Sequence, residues 1–347
     1  MQLECQFRAP SFGTVNDSLF PRGMSETSGT IPVLRRLVPA INHHPMKLKF
    51  HTLDVFTNRK FGGNPLAVVL DADALQTHQM QTIAREFNLS ETIFVMKPDN
   101  PANTAKVRIF FPAGEMSFAG HPTVGCAVFL AEQKYKPGCS FETEIRLEEG
   151  AGLVPVKVSR VGEASRAMFT APVVPFAVDL PLPSIDEVAR ALSLDPADIG
   201  FDRHIPGLHQ GGPRCFHVPV KTRAALARSQ AIEPHWSAMI GRLGVDMSYL
   251  YTPGGDSPKT AFRSRMYAPT AGIPEDPATG SATALFAAQL LKAERLPDGT
   301  HAWEIEQGYE MGRPSDLHLE ADVKGGKLMA SRVAGQAVQV MEGVLEF

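Results

Sequence analysis

The spacing of apolar and polar residues predicts a chain that alternates short strands with helices. Three segments place apolar residues three and four positions apart, as on one face of an α-helix: 80–87, 124–131 and 283–291. Apolar runs of strand length lie at 93–96 and 107–111. Ser184, followed three residues later by Glu187, is a capping-box pattern that predicts a further helix directly after it.

The first 45 residues lack this periodicity. They are rich in Ser, Thr, Gly, Pro and Asn, and their best apolar stretch, 31–41, is interrupted by Arg35, Arg36 and Pro39, which makes a poor signal-peptide core. An alternating strand pattern begins directly after Met46, at 47–52. We therefore expect residues 1–45 to be a poorly ordered extension of a body that starts at Met46. The alternative is an N-terminal arm that packs on that body.

A short internal repeat indicates two related halves. Residues 108–112 (RIFFP) resemble residues 265–269 (RMYAP), and residues 121–127 (HPTVGCA) resemble residues 276–282 (DPATGSA). Strand, turn and helix therefore recur in one order, which predicts two similar domains related by pseudo-symmetry.

Proline density marks the boundary between these halves. Four prolines between residues 172 and 183 make this stretch a candidate interdomain linker. We expect an N-terminal domain at 46–171, a C-terminal domain at 172–335, and a last strand at 336–347 that can return to the first domain.

Both copies of the repeat place a helix start after a Gly/Pro turn. Pro122 and Pro277 are expected in the first helical turns, where a missing N–H costs least. Gly125 and Gly280 would let a ligand approach the backbone closely. Because a helix N-terminus carries unpaired N–H groups and a partial positive charge, two such ends meeting between the halves would bind a small carboxylate. The alternative is that both are ordinary capped helices.

Composition narrows the classes of function. The 347 residues carry 34 basic and 37 acidic side chains, a net charge of −3, which removes the general electrostatic drive toward nucleic acid or an anionic membrane. There is no apolar run long enough for a spanning helix. The four cysteines form no C-x-x-C pair and have no zinc-like spacing to histidines, which favours a reduced, cytoplasmic protein without a metal site. Residues 120–125 have P-loop spacing but lack the following Lys-Ser/Thr, so no nucleotide or other cofactor is expected.

Several longer motifs are recognisable together. They are Asp-Val-Phe through Gly-Asn-Pro, Ala-Arg-Glu-Phe-Asn-Leu-Ser-Glu, Phe-Ala-Gly-His-Pro, Glu-Asp-Pro-Ala-Thr-Gly-Ser-Ala, and the Gly-to-Pro stretch near the C-terminus, at 54–65, 84–91, 118–122, 275–282 and 308–314. With these motifs the chain resembles the PhzF family, the phenazine-biosynthesis-like isomerases. The resemblance implies an α+β, diaminopimelate epimerase-like fold with two pseudo-symmetric domains, each a sheet wrapped around a central helix. It also implies a site in the cleft between the domains and a homodimer.

The resemblance carries specific residues into this site. It implies a catalytic set of Glu91, His121 and Asp276. Asn64, Gly120, Gly280 and Ser281 are expected to bind substrate. From local sequence alone, an exposed carboxylate at a helix end is the favoured interpretation of Glu91, because Glu is common and usually solvated. His121 is compatible with a packed histidine in a turn. Asp276 and Ser281 are likewise compatible with simple helix caps.

These residues favour a cofactor-independent isomerase of a small carboxylate. One carboxyl group, Glu91, can take a proton from one carbon and return it to another. The related epimerases use two cysteines, but the second motif here has none, and Cys126 is expected to be a small buried residue. The alternatives are an amino-acid racemase or epimerase, and a catalytically idle member that acts as a binding or scaffold protein.

Deleting residues 1–45 should leave the melting temperature of the protein nearly unchanged, because the composition break at Met46 marks the start of the folded body. Thermal unfolding of the two chains checks this expectation. A large loss of stability in the shortened chain would show that the N-terminal segment packs on the body.

Overall fold

The computed structural model describes residues 46–162 and 164–347. The predicted extension at 1–45 lies outside the described residues, and its order remains a prediction. Six α-helices run through the described ranges. They are α1 (Thr77–Phe87), α2 (Gly120–Glu132), α3 (Ile185–Leu192), α4 (Arg223–Arg228), α5 (His235–Leu243) and α6 (Gly280–Glu294).

The strands form one mixed sheet system. In the first half they are β1 (Lys47–Val55), β2 (Asn64–Val69), β3 (Glu91–Met96), β4 (Ala105–Phe111), β5 (Gly114–Met116), β6 (Phe141–Glu149), β7 (Gly152–Val161) and β8 (Ala164–Thr170). Further along the chain they are β9 (Phe176–Ala177), β10 (Gly207–Gln210), β11 (Arg214–Pro219), β12 (Ser248–Pro253), β13 (Thr260–Ala268), β14 (Ile273–Asp276), β15 (Gly299–Gln307), β16 (Ser315–Lys324) and β17 (Lys327–Glu346).

The helices predicted from apolar spacing are confirmed. Helix α1 buries Met80, Ile83 and Ala84, the face that the spacing marked. Ser184 caps α3, since its hydroxyl accepts from the Glu187 amide at 3.3 Å while the Glu187 carboxylate accepts from the Ser184 amide at 2.8 Å. The strand predicted after Met46 is β1.

Helices α2 and α6 are the two elements that strands surround. Helix α2 contacts β1, β2, β3, β6, β7, β8 and β17, and nearly all of its residues are buried. Helix α6 contacts β9, β10, β11, β16 and β17. A helix that is apolar on all sides must be enclosed in this way, because each face would otherwise expose apolar surface to water. Among the described residues, no helix combines the length and apolar composition needed to cross a bilayer.

Strand β17 ties these surroundings together. Its first part pairs with β16, its middle pairs with β8, and its last part runs antiparallel to β1 as far as Glu346. One continuous strand therefore borders both α2 and α6. The division into domains at 46–171 and 172–335, with 336–347 as a returning strand, stays a prediction.

The register of the internal repeat differs from the predicted one. Helix α2 begins at Gly120 and α6 begins at Gly280, so these two glycines are equivalent by position, whereas the motif similarity had paired Gly125 with Gly280. Pro122 lies in the first turn of α2, as expected, but Pro277 precedes α6 by three residues. The expectation for Pro277 was therefore wrong.

The predicted role of Gly125 was also wrong. A Cβ built at this glycine would lie 2.7 Å from Leu66 Cδ2 and 2.7 Å from Val55 Cγ2. Gly125 thus lets α2 pack closely against β1 and β2, and no ligand has room to approach it.

A buried acid lies beneath the start of α2. Glu149, the last residue of β6, is 8% exposed, and its Oε1 accepts a hydrogen bond from the Thr123 hydroxyl at 2.8 Å. Burial raises the pKa of Glu149 to about 8, against a smaller opposite effect of the Thr123 hydroxyl. Glu149 is therefore protonated in the folded protein over a pH range in which it is ionised in the unfolded chain.

Replacing Glu149 with Gln should flatten the dependence of stability on pH. The folded state binds the Glu149 proton more tightly than the unfolded state, so this contribution is complete below about pH 4.5 and is lost as the pH rises toward about 8. The loss in the wild type is on the order of a few kcal/mol. Urea unfolding at pH 5 and pH 8.5 measures it.

The matched control is Glu142→Gln, because Glu142 lies on the same strand but is exposed. This variant should keep the wild-type pH dependence. Equal slopes in all three proteins would show that Glu149 titrates normally.

Candidate active site

The starts of α2 and α6 touch each other. A Cβ built at Gly120 would lie 2.9 Å from the Gly280 Cα, and one built at Gly280 would lie 3.2 Å from the Gly120 Cα. A side chain at Gly120 would overlap the backbone of Gly280, and one at Gly280 would make a tight contact with the backbone of Gly120, so glycine suits both positions. The prediction that two helix starts meet is confirmed.

The N–H groups at both helix starts are free of side-chain caps within the described residues. Asp276 is not the cap of α6, since it ends β14 and Thr279 occupies the cap position, and Ser281 lies inside the first turn. Both capping alternatives are therefore wrong.

A cavity of about 300 Å³ opens against these two helix starts. It brings together six of the seven predicted site residues. Its lining consists of Glu91, Phe111, Met116, Ala119, Gly120, His121, Pro213, Asp246, Met247, Met266, Ala268, Ala271, Ile273, Asp276, Thr279, Gly280 and Ser281. The seventh predicted residue, Asn64, is fully buried and lies behind this wall.

Glu91 is held at the cavity by strand pairing. Helix α1 ends at Phe87, Asn88 takes the left-handed conformation that stops it, and Glu91 opens β3 opposite Leu66 of β2. The side chain is buried, so the alternative of an exposed helix-end carboxylate is wrong. Its Oε2 lies 3.2 Å from His121 Nδ1.

Burial dominates the ionisation of the three titratable groups. It raises the pKa of Glu91 well above the usual range, and the nearby Asp276 carboxylate raises it further. It raises the pKa of Asp276 to about 6, although hydrogen bonds from Thr279 and Asn64 act in the opposite direction. It lowers the pKa of His121 to about 3, against a smaller opposite effect of the Pro65 carbonyl. At neutral pH the imidazole is therefore uncharged.

Asp276 is fixed by donors that are distant in sequence. Asn64 Nδ2 donates to its Oδ1 at 2.8 Å, and the Thr279 hydroxyl donates to its Oδ2. Gln307 donates to the Asp276 carbonyl at 2.8 Å and to the Thr279 hydroxyl at 3.0 Å. The sequence analysis missed Thr279 and Gln307. Thr279 lies inside the motif at 275–282, whereas no local signal in the sequence marks Gln307.

The side chains of the cavity wall are acidic or apolar. Glu91, Asp246 and Asp276 are acids, and the lining that the described residues form contains no Lys or Arg. An anionic group placed here would have only the backbone N–H groups of the two helix starts as strong donors, while a cationic group would meet carboxylates. In the described part of the chain, no three His, Cys, Asp or Glu side chains cluster in a way that would hold a metal ion.

Among the residues that the structure describes, no cysteine lines the cavity. Cys126 lies in the second turn of α2 and is fully buried. Burial raises the pKa of its thiol, so it is a poor source of thiolate. Its predicted role as a small buried residue is confirmed.

Comparison with known proteins places this arrangement in a family. Residues 53–343 match the family model of phenazine biosynthesis-like proteins, PhzC-PhzF. The chain is 42% identical to an uncharacterized isomerase of Mesorhizobium japonicum, over 84% of this chain and 96% of that protein. It is 32% identical to the trans-2,3-dihydro-3-hydroxyanthranilate isomerase of Pseudomonas aeruginosa, over 85% of this chain and 98% of that enzyme.

Solved structures agree with this match. A Bacillus anthracis phenazine biosynthesis protein of the PhzF family superposes with a TM-score of 0.77 at 25% identity, covering 87% of this chain and all of that one. A hydroxyproline epimerase of Agrobacterium vitis, at 14% identity and a TM-score of 0.54, shares the fold over 87% of this chain and 93% of that one.

The mixed sheet with few helices is thus the epimerase-like fold. The chain belongs to the phenazine biosynthesis-like family, and its enzyme class is isomerase.

Gly120→Ala should destabilise the protein by roughly 1–3 kcal/mol, because the added Cβ overlaps the backbone of α6 and forces the helix starts apart. The control is Gly241→Ala in α5, where an added Cβ meets nothing within 4 Å. Replacing that helical glycine should stabilise by roughly 0.5–1 kcal/mol. Urea unfolding compares the two, and a neutral effect at Gly120 would contradict the close contact.

Proposed function

We propose that the protein moves a proton between two carbons of a small carboxylate substrate, without a cofactor, and that Glu91 carries the proton. The observation that supports this most directly is the placement of Glu91. Its carboxyl group is buried, faces the cavity, and has a pKa raised toward the range in which it exchanges protons at neutral pH.

The balance of the reaction needs only one acid–base group. Ionised Glu91 takes a proton from a carbon, and the electron pair of the broken C–H bond moves into an adjacent unsaturated system. Protonated Glu91 then returns the proton to a second carbon, so no electron leaves the substrate. Neutral His121 and the Asp276 carboxylate hold the polar groups of the substrate during this exchange.

The cavity defines which substrate features fit. The free N–H groups at the starts of α2 and α6, including those of Gly280 and Ser281, would take the carboxylate. Asp276 would take an amino or hydroxyl group. Phe111, Met116 and Met266 supply an apolar wall for a ring or hydrocarbon portion. The relatives named trans-2,3-dihydro-3-hydroxyanthranilate isomerase suggest that compound as the first probe.

The finer architecture is part of this proposal. Helices α2 and α6, each with its surrounding strands, would be the centres of two pseudo-symmetric domains, with the cavity where their first turns meet. By resemblance to its family, the protein would work in the cytoplasm as a homodimer.

Racemisation is the second candidate within the enzyme class. The shared fold with a hydroxyproline epimerase favours it, but a two-thiol mechanism finds no cysteine in the cavity wall. A binding or scaffold protein without catalysis is the remaining alternative.

A screen of small carboxylates in deuterated water tests the proposal, with trans-2,3-dihydro-3-hydroxyanthranilate included. NMR should show deuterium at a carbon that carried no exchangeable proton, together with a shifted double bond. Deuterium at the original carbon with inverted configuration would instead indicate racemisation. Binding without any exchange would support the scaffold alternative.

Glu91→Gln should lower turnover by a factor on the order of 10² to 10⁴, because the amide keeps the shape but cannot accept a proton. The wild-type rate should rise with pH through a midpoint above the normal Glu value of about 4.3, since the base form must be ionised and burial raises its pKa. Initial rates across pH measure both effects.

The matched control is Glu115→Gln. Glu115 lies on β5, outside the cavity, where it pairs with Arg108 at 2.6 Å. Its replacement should leave turnover unchanged. A Glu91→Gln variant that is as active as this control would show that Glu91 is a bystander.

A further inference from the structure

The amide of Asn64 lies directly behind Glu91, His121 and Asp276 and has a fixed orientation. Its Nδ2 is 2.8 Å from Asp276 Oδ1 and 2.9 Å from the Ala278 carbonyl oxygen. A carboxylate oxygen and a carbonyl oxygen only accept hydrogen bonds, so the nitrogen of the amide must face them. Both hydrogens of this amide are therefore committed to Asp276 and Ala278.

The same nitrogen lies 3.3 Å from His121 Nδ1. A hydrogen on Nδ1 would point toward the Asn64 amide nitrogen, which is itself a donor. A lone pair on Nδ1 would instead face this electropositive amide group. Because burial keeps the His121 ring neutral, it holds one proton, and this contact favours placing that proton on Nε2. Nδ1 is then a proton acceptor.

This assignment changes the meaning of the contact between His121 and Glu91. Glu91 Oε2 lies 3.2 Å from His121 Nδ1. The described residues give Glu91 Oε2 no hydrogen-bond partner, so this contact is a close approach and not a hydrogen bond. A protonated Glu91 is compatible with a lone pair on Nδ1 at this distance. An ionised Glu91 would instead be repelled by that lone pair and by the Asp276 carboxylate.

A second network holds Asn64 in place. Arg313 donates to the carbonyl of Gly63 at 2.8 Å, to that of Gly62 at 2.7 Å, and to Asp54 Oδ1 at 2.5 Å. Gly63, at φ +62°, also donates its N–H to the Pro314 carbonyl at 2.9 Å. The turn that delivers Asn64 is thus clamped from both sides, which limits movement of its side chain.

We propose that Asn64 is a positioning residue, which makes His121 Nδ1 an acceptor and so favours the protonated form of Glu91 in the empty site. The inference rests on the proposed function for its catalytic meaning: Glu91 must release this proton before it can accept one from carbon. Asn64 then acts through His121 and Asp276, one layer behind the substrate.

Nitrogen-15 NMR of the ligand-free, full-length protein tests this without any substrate. Histidine labelled in the ring reports which nitrogen carries the proton, and loss of one signal set in His121→Gln assigns the residue. Wild-type His121 should show a proton on Nε2 and none on Nδ1 between pH 6 and 8. Asn64→Ala should shift His121 measurably toward the Nδ1–H form.

Gln307→Ala is the matched control. It removes another buried amide that supports Asp276, but Gln307 bonds the backbone and Thr279 and makes no hydrogen bond to His121 among the described residues. It should leave the His121 signals unchanged. If Asn64→Ala does not fold, Arg313→Lys, which weakens the clamp, should give a smaller shift in the same direction.

A wild-type proton on Nδ1, or equal shifts in Asn64→Ala and Gln307→Ala, would overturn the proposal. Because these signals need no turnover, absence of isomerase activity would count against the proposed function alone.

Discussion

The contact between the starts of α2 and α6 is the constraint on which the site depends. Each helix start carries partial positive charge and unpaired N–H groups, so bringing two together is favourable only where negative charge can be placed beside them. Gly120 and Gly280 permit the approach, and Asp276 and the proposed substrate carboxylate supply the compensating charge.

Holding buried acids at such a junction requires a rigid frame. Ionised Asp276 loses hydration on burial, and the Asn64 amide and the Thr279 hydroxyl replace part of it. Both donors are themselves held, Thr279 by Gln307 and Asn64 by its position in the turn that Arg313 clamps. The frame therefore draws on β2, β15 and the segment before β16, which lie far apart along the chain.

The sequence predicted what is local and missed what is long-range. Apolar spacing marked α1, α2 and α6 because a helix face is set by neighbours three and four residues away. Motif similarity paired Gly125 with Gly280 because it compared residue types alone. The structural equivalence of Gly120 and Gly280 depends instead on where β5 and β14 end and the following helices begin. The local sequence does not indicate the burial of Glu91, because that burial comes from pairing with β2. The contact between Gln307 and Asp276 likewise joins residues that are 31 positions apart in the sequence.

Glu91 and Asp276, two of the three acids that line the cavity, differ in one respect that bears on their roles. Asp276 accepts hydrogen bonds on both carboxylate oxygens, so its charge and orientation are committed. Glu91 accepts none from the described residues, and His121 Nδ1 is its close polar neighbour. A group that takes a proton from one carbon and returns it to another must change both charge and orientation between the two events, and strong fixed donors would oppose the protonated form. In the proposed reaction, the lack of such donors at Glu91 would suit the proton carrier, whereas the fixed charge of Asp276 would suit the residue that holds a substrate group. Because Glu91 faces the cavity from one side, it would return the proton to the face from which it was taken, which is the stereochemistry of an isomerisation rather than an inversion.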